Sequence, residues 1–309
     1  MRRWTYTGLL LIALTALILA SCTSLPDVGP FVEATTEVRS AVAQAGTTVE
    51  EELKRMNGGL ESAAGLKKQW LSRIEAMDAM VDYSESLQSI VSASRQGAQS
   101  VGTLADGVTQ LAGSAGIVVP GSAAVGVGVD TSKNIYREIA VMRAAKSLEE
   151  ALERSRRPVD EIAKTIGQDI ADLKVIFQAA SDSITGDLEI DHQKGINFRN
   201  QLIKRRKALY AIGSEGLTAA DKLELTELDR LIVSTNTWYL PLQTKLNEVR
   251  TRLSAGEALI ATTSDTVSQW GLTYNNLVLA LKDRRPVSIQ SLTRATVDIR
   301  DLIKRIREL

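Results

Sequence analysis

The chain has 309 residues, with 37 Lys plus Arg against 37 Asp plus Glu, and this zero formal charge gives no support for general nucleic-acid binding. At 44% hydrophobic residues it is too apolar to be disordered throughout, and at 4% aromatic it is sparse for a compact enzyme core. One cysteine and one histidine exclude an intramolecular disulfide and supply too few nitrogen and sulfur ligands for a zinc site.

Arg2 and Arg3 precede an uncharged run from Trp4 to Ser21 whose apolar centre is Leu9 to Ala20. A basic n-region followed by an apolar h-region of this length is the pattern of an export signal, and it is short for a membrane span of ~20 residues. The run ends in Leu19-Ala20-Ser21-Cys22. Leu, two small residues and Cys resembles the lipobox of bacterial lipoproteins. The resemblance covers only the first two dozen residues. It implies cleavage after Ser21, acylation of the Cys22 thiol and of the new amine, and membrane attachment through those chains. No other cofactor is expected. Losing Arg2 and Arg3 leaves the mature chain slightly acidic, with 35 basic against 37 acidic residues. In Gram-negative lipoproteins an Asp after the lipidated cysteine favours retention at the inner membrane. Thr23 stands there, which implies the outer membrane, facing the periplasm.

Residues 22–30 hold Pro26, Gly29 and Pro30 and no helical period, so they read as a tether, with the folded domain spanning 31–309. Val32, Val38, Val42, Val49 and Leu53 recur at helical intervals up to Met56, and Asn57-Gly58-Gly59 breaks the pattern. Leu60 to Ala105 reads as one uninterrupted helix, through Leu66, Trp70, Ile74, Met77, Val81, Leu87 and Ile90. Gly107 to Val129 carries no charge and has Pro120-Gly121 near its middle. Its glycines, each costing roughly 1 kcal/mol relative to Ala in a helix, predict a hairpin tip. Asp130-Thr131-Ser132 then starts a helix through Ile135, Ile139, Met142, Leu148 and Leu152, which Pro158 should kink or restart. The period resumes at Ile162 and runs through Ile176, fading near Thr185-Gly186-Asp187.

A further helix is predicted over Asn197 to Ile212. Thr218 and Asp221 form a capping pair with Asp in place of the usual Glu. The following helix runs through Leu223, Leu228 and Leu231, bends at Pro241, and continues to Leu281 before a charged turn from Lys282 to Pro286. In the last segment Ile289, Leu292, Thr296, Ile299, Leu302, Ile303 and Ile306 trace one stripe, with Arg294, Arg300, Lys304, Arg305 and Arg307 off it. No stretch sustains the period of two that a strand needs. The expected fold is all-α: an elongated, coiled-coil-like bundle of about five or six long helices carrying an apolar, Gly-rich hairpin at 107–129.

No catalytic residues are assigned. His192 lies in a polar stretch, Glu189 to Lys194, and reads as an exposed linker residue; no serine sits in a G-x-S-x-G. Gly126-Val127-Gly128 lacks the remaining residues of either phosphate-binding fingerprint. Lys204-Arg205-Arg206-Lys207 is a candidate contact for anionic headgroups or an acidic partner, against the plainer reading of a solvated helix face. Ile117, Val118, Val119, Val125 and Val127 of the hairpin are candidates for membrane or partner contact, against the plainer reading of a closely packed helical turn whose glycines let two backbones approach.

These features predict a non-enzymatic, lipid-anchored envelope protein, a helical spacer or adaptor whose helix faces meet another envelope protein or a second copy. Long helices with one apolar hairpin also resemble, in layout alone, the α-helical pore-forming proteins of the cytolysin A type. That resemblance implies a membrane-active hairpin. A hydrolase of wall or lipid with an acid pair that leaves no motif is the competing class.

Overall fold

The computed structural model describes residues 27–93, 98–116 and 129–308. Among them are seven α-helices packed together and no strand: α1 Gly29–Arg55, α2 Leu60–Ser92, α3 Ala98–Ser114, α4 Val129–Arg143, α5 Leu148–Tyr210, α6 Ala219–Asp283 and α7 Gln290–Glu308. The protein is all-α, as its periods require.

The helix boundaries depart from the sequence reading at several places. Val28, expected in the tether, is buried, and Asp27 accepts a hydrogen bond from the Gly29 N–H (2.8 Å), so α1 begins inside the predicted tether. The helix predicted over 60–105 ends at Ser92, and α3 starts separately at Ala98. Residues 144–147 separate α4 from α5, where the pattern predicted continuity. The helix does not restart at Pro158, which sits inside α5, and α6 continues through Pro241 as its period predicts. The fully buried Val159 and Ile162 follow Pro158, so packing offsets the lost backbone bond. The expected fading near Thr185 is likewise absent, because an Arg250–Glu189 ion pair (2.6 Å) and a His192–Tyr239 ring stack hold this part of α5 against α6.

Other signals are realised as written. Gly58 takes φ +74° between α1 and α2, a left-handed conformation that glycine adopts without strain. Thr218 Oγ1 accepts the Asp221 N–H (3.2 Å) while Asp221 Oδ2 accepts the Thr218 N–H (2.9 Å), a reciprocal cap on α6. In α7, Leu292, Thr296, Ile299 and Leu302 are buried and the five basic residues named above are exposed.

The chain divides into two compact units. Unit 1 comprises the described residues of Met1–Val42 together with Leu71–Asp169 and Thr263–Asp298. Its core is aromatic: Phe31 stacks on Trp270 at 5.5 Å, Trp270 on Tyr274 at 6.0 Å, and Tyr83 tilts against Tyr274 at 5.7 Å. Every polar tip in this cluster has a partner. The Trp270 indole N–H donates to Thr35 Oγ1 (2.8 Å), which donates to the Phe31 carbonyl (2.7 Å). The Tyr274 hydroxyl is shared between Tyr83 and Ser155, at 2.5 Å to each. Burial raises the pKa of Tyr83 well above the usual tyrosine value and that of Tyr274 to about 12.

Unit 2 comprises Ala43–Trp70, Ile170–Thr262 and Ile299–Leu309. It uses glycine to admit rings. A Cβ on Gly46 would stand 2.0 Å from Trp70 Nε1, and one on Gly256 would stand 2.4 Å from Phe177 Cζ. Its most buried charge is Glu52, 1% exposed, clamped by Arg252 (Nε 3.1 Å, Nη2 2.9 Å) and by Arg55 (3.0 Å). A small cluster of Leu209, Leu225 and Leu228, flanked by Leu202 and Leu217, joins the end of α5 to the start of α6.

Candidate functional site

The expected signal peptide, Cys22, Ile117, Val118, Val119, Val125 and Val127 all lie outside the described residues. The first part of the predicted hairpin does not. Gly107 to Ser114 continue α3, and Val108, Leu111, Ala112 and Ala115 are buried in unit 1. Gly107 stands where a Cβ would come 2.9 Å from the Tyr83 ring, so this glycine serves close packing and not a turn. The helix ends at Ser114, and Gly116 in the turn that follows takes φ +76°.

The basic run divides in two. Arg205 is held by both carboxylate oxygens of Glu224 (2.6 and 2.8 Å), which raises its pKa and lowers that of Glu224. Arg206 pairs with Asp229 (2.5 Å) and lies over the Tyr210 ring. Both arginines therefore fasten α5 to α6. Lys204 and Lys207 remain exposed at the end of α5. His192 is not the exposed linker residue expected: it is half-buried within α5, its ring 5.4 Å from that of Tyr239. Arg199 lies over the same Tyr239 ring and donates to Thr235 Oγ1 (3.1 Å) and Asn236 Oδ1.

The feature that composition and period did not reveal is where apolar surface is left open. Of the fifteen large hydrophobic residues exposed among the described residues, eleven belong to unit 2. Val175 (68% exposed) and Ile176 (40%) on α5 form one wall of an open apolar groove of about 480 Å³. Leu53 near the end of α1, Met56 just beyond it and Leu66 from α2 also line it, and Gly65 contributes no side chain. Ile176 fits the helical period as a core residue, but Phe177 takes the core position by entering the space over Gly256, which turns Ile176 outward. Elsewhere in the unit Phe198, Leu223, Trp238 and Leu240 are also exposed. Leu223 was another period-based core expectation, displaced by the buried Leu225.

Among the described residues no group of three His, Cys, Asp or Glu side chains is placed to hold a metal ion, and no helix is long and apolar enough to cross a membrane. The groove instead has the chemistry of a seat for apolar side chains. An amphipathic helix docks through residues spaced by three and four into such a surface. No protein-family model, no curated protein and no solved structure matches this chain.

Proposed function

We propose that this is a lipid-anchored, non-enzymatic envelope protein that acts as a helical adaptor. It is attached through acyl chains on Cys22 at the outer membrane, facing the periplasm. Its partner is the amphipathic helix of another envelope protein or of a second copy. An elongated, coiled-coil-like bundle belongs to the same reading. The observation that carries it is the concentration of exposed apolar side chains in unit 2, with Val175 and Ile176 forming an open groove wall. Contiguous apolar surface on a folded protein marks interaction more often than chance. The lipobox resemblance of Leu19-Ala20-Ser21-Cys22 supports the anchor.

Two substitutions test the two halves of the proposal. Cys22→Ala should leave the protein as precursor or release it from the membrane fraction, since two or three acyl chains at ~0.8 kcal/mol per buried CH₂ hold a domain firmly. A mature N-terminal peptide carrying an unmodified cysteine would refute the anchor. Val175→Asp with Ile176→Asp should abolish partner capture in cells while leaving membrane attachment intact. Capture unchanged by this pair would refute the groove as the docking surface.

A further inference from the structure

Unit 1 holds a separate, smaller pocket of about 140 Å³ whose walls come from the ends of three helices. Val91 near the end of α2, Leu148 and Leu152 at the start of α5, and Val278 and Leu281 near the end of α6 supply its apolar body. A pocket of this size matches an apolar cavity of about 150 Å³ that admits benzene, which sets the apolar part of an occupant at roughly six carbons. Its mouth is polar and charged: Lys282 and Arg284 against Glu149. Lys282 lies 3.8 Å from Glu153, whereas Arg284 is exposed and makes no ion pair among the described residues.

Arg284 also has an unusual backbone. Its φ is +51°, and the next residue, Arg285, donates its N–H to the Ala280 carbonyl (3.0 Å). That bond closes the end of α6 in the manner of a Schellman cap, whose left-handed position strongly favours glycine. The other described residues with positive φ, Gly58, Gly116 and Gly213, are all glycines. An arginine therefore occupies the one such position where a side chain is strained, and that position is at the mouth of the pocket.

We propose that this pocket binds a short-chain aliphatic carboxylate, with about six carbons in the apolar body and the carboxylate paired with the Arg284 guanidinium. Charge decides for an anion: Glu153 engages Lys282, and Arg284 is the cation at the mouth that no carboxylate among the described residues pairs with. Size decides against a long acyl chain. The site stands apart from the groove of unit 2 and does not depend on the adaptor reading.

Calorimetric titration of the full chain with hexanoate, 1-hexanol and acetate tests it. Hexanoate should bind saturably with one equivalent, and hexanol and acetate should bind at least tenfold more weakly. Arg284→Gly should reduce hexanoate affinity to the level of hexanol while raising the melting temperature by roughly 2 °C, because the left-handed strain is relieved. Val278→Leu, which fills the body without touching the arginine, should weaken hexanoate and hexanol together. Absence of saturable hexanoate binding, or equal hexanoate affinity in wild type and Arg284→Gly, overturns the proposal. A lower melting temperature in Arg284→Gly overturns the argument that the arginine is held there against backbone preference.

Discussion

Units 1 and 2 draw on several of the same helices and differ in what those helices bury. Of the eleven largest fully buried side chains among the described residues, ten belong to unit 1; only Phe177 belongs to unit 2. The exposed large hydrophobics divide the other way, with four in unit 1 and eleven in unit 2. Unit 1 closes its apolar surface on itself and satisfies the polar tips of its aromatic cluster. Unit 2 has a thinner core, clamps one buried carboxylate with arginines, and leaves leucine, valine, isoleucine and tryptophan at the surface. Composition averaged over the chain hides this contrast. What differs is which copies of the same helical stripe find a partner within the chain.

The contrast breaks most severely if the aromatic cores are exchanged in importance. Trp270→Ala in unit 1 should cost about 3–5 kcal/mol, the usual loss for a fully buried large ring, measured by denaturant unfolding. Trp238→Ala in unit 2, where the residue is 43% exposed, should cost under about 1 kcal/mol by the same measurement. Similar losses at the two positions would mean that unit 2 is as closed as unit 1.

Alkaline titration sharpens the comparison next. The pKa of Tyr274 rises from 10.0 to about 12 on burial, and that of Tyr83 also rises. A folded pKa above the unfolded one adds stability that is present in full below about pH 10 and is lost as pH climbs through the folded value. Unit 1 should therefore lose stability as pH climbs above about 10 and through the raised tyrosine values. The ultraviolet band of tyrosinate should lag for these two residues until unfolding. Substituting both by Phe should flatten the pH dependence.

In unit 2 the equivalent probe is Glu52. Glu52→Gln should cost about 2 kcal/mol, because the arginine clamp loses its counter-charge in a buried place. Replacing Glu52 and Arg252 together by Leu and Met should recover most of that loss. A double-mutant unfolding cycle reads the coupling.

The sequence carried the all-α class, the Gly58 break, the Thr218–Asp221 cap and the α7 stripe, because each rests on local chemistry or on a regular period. It failed where distant contacts decide. Nothing near Thr185 announces that Arg250 and Tyr239 will hold α5 together there. Pro158 read equally as a kink or a restart because its burial beside Val159 and Ile162 is a tertiary fact. Local sequence left 107–129 open between a packed turn and a hairpin tip, because the neighbour that decides at Gly107, Tyr83, is 24 residues away in the chain. The groove was hidden for a similar reason. Ile176 and Phe177 are both apolar, and only the space over Gly256 determines which one turns inward.

The smallest effect on stability belongs to the groove itself. Val175→Asp with Ile176→Asp should change unfolding free energy by no more than about 0.5 kcal/mol per site, since both side chains already face water.

Site-specific photocrosslinking in cells tests the interaction surface most directly. A crosslinking residue placed at Ile176 in unit 2 should capture one discrete partner, or a second copy of the chain. The same residue at Leu272, exposed in unit 1 at 53%, should capture none. Equal capture at both positions, or capture at Leu272 alone, would contradict the assignment of partner binding to unit 2.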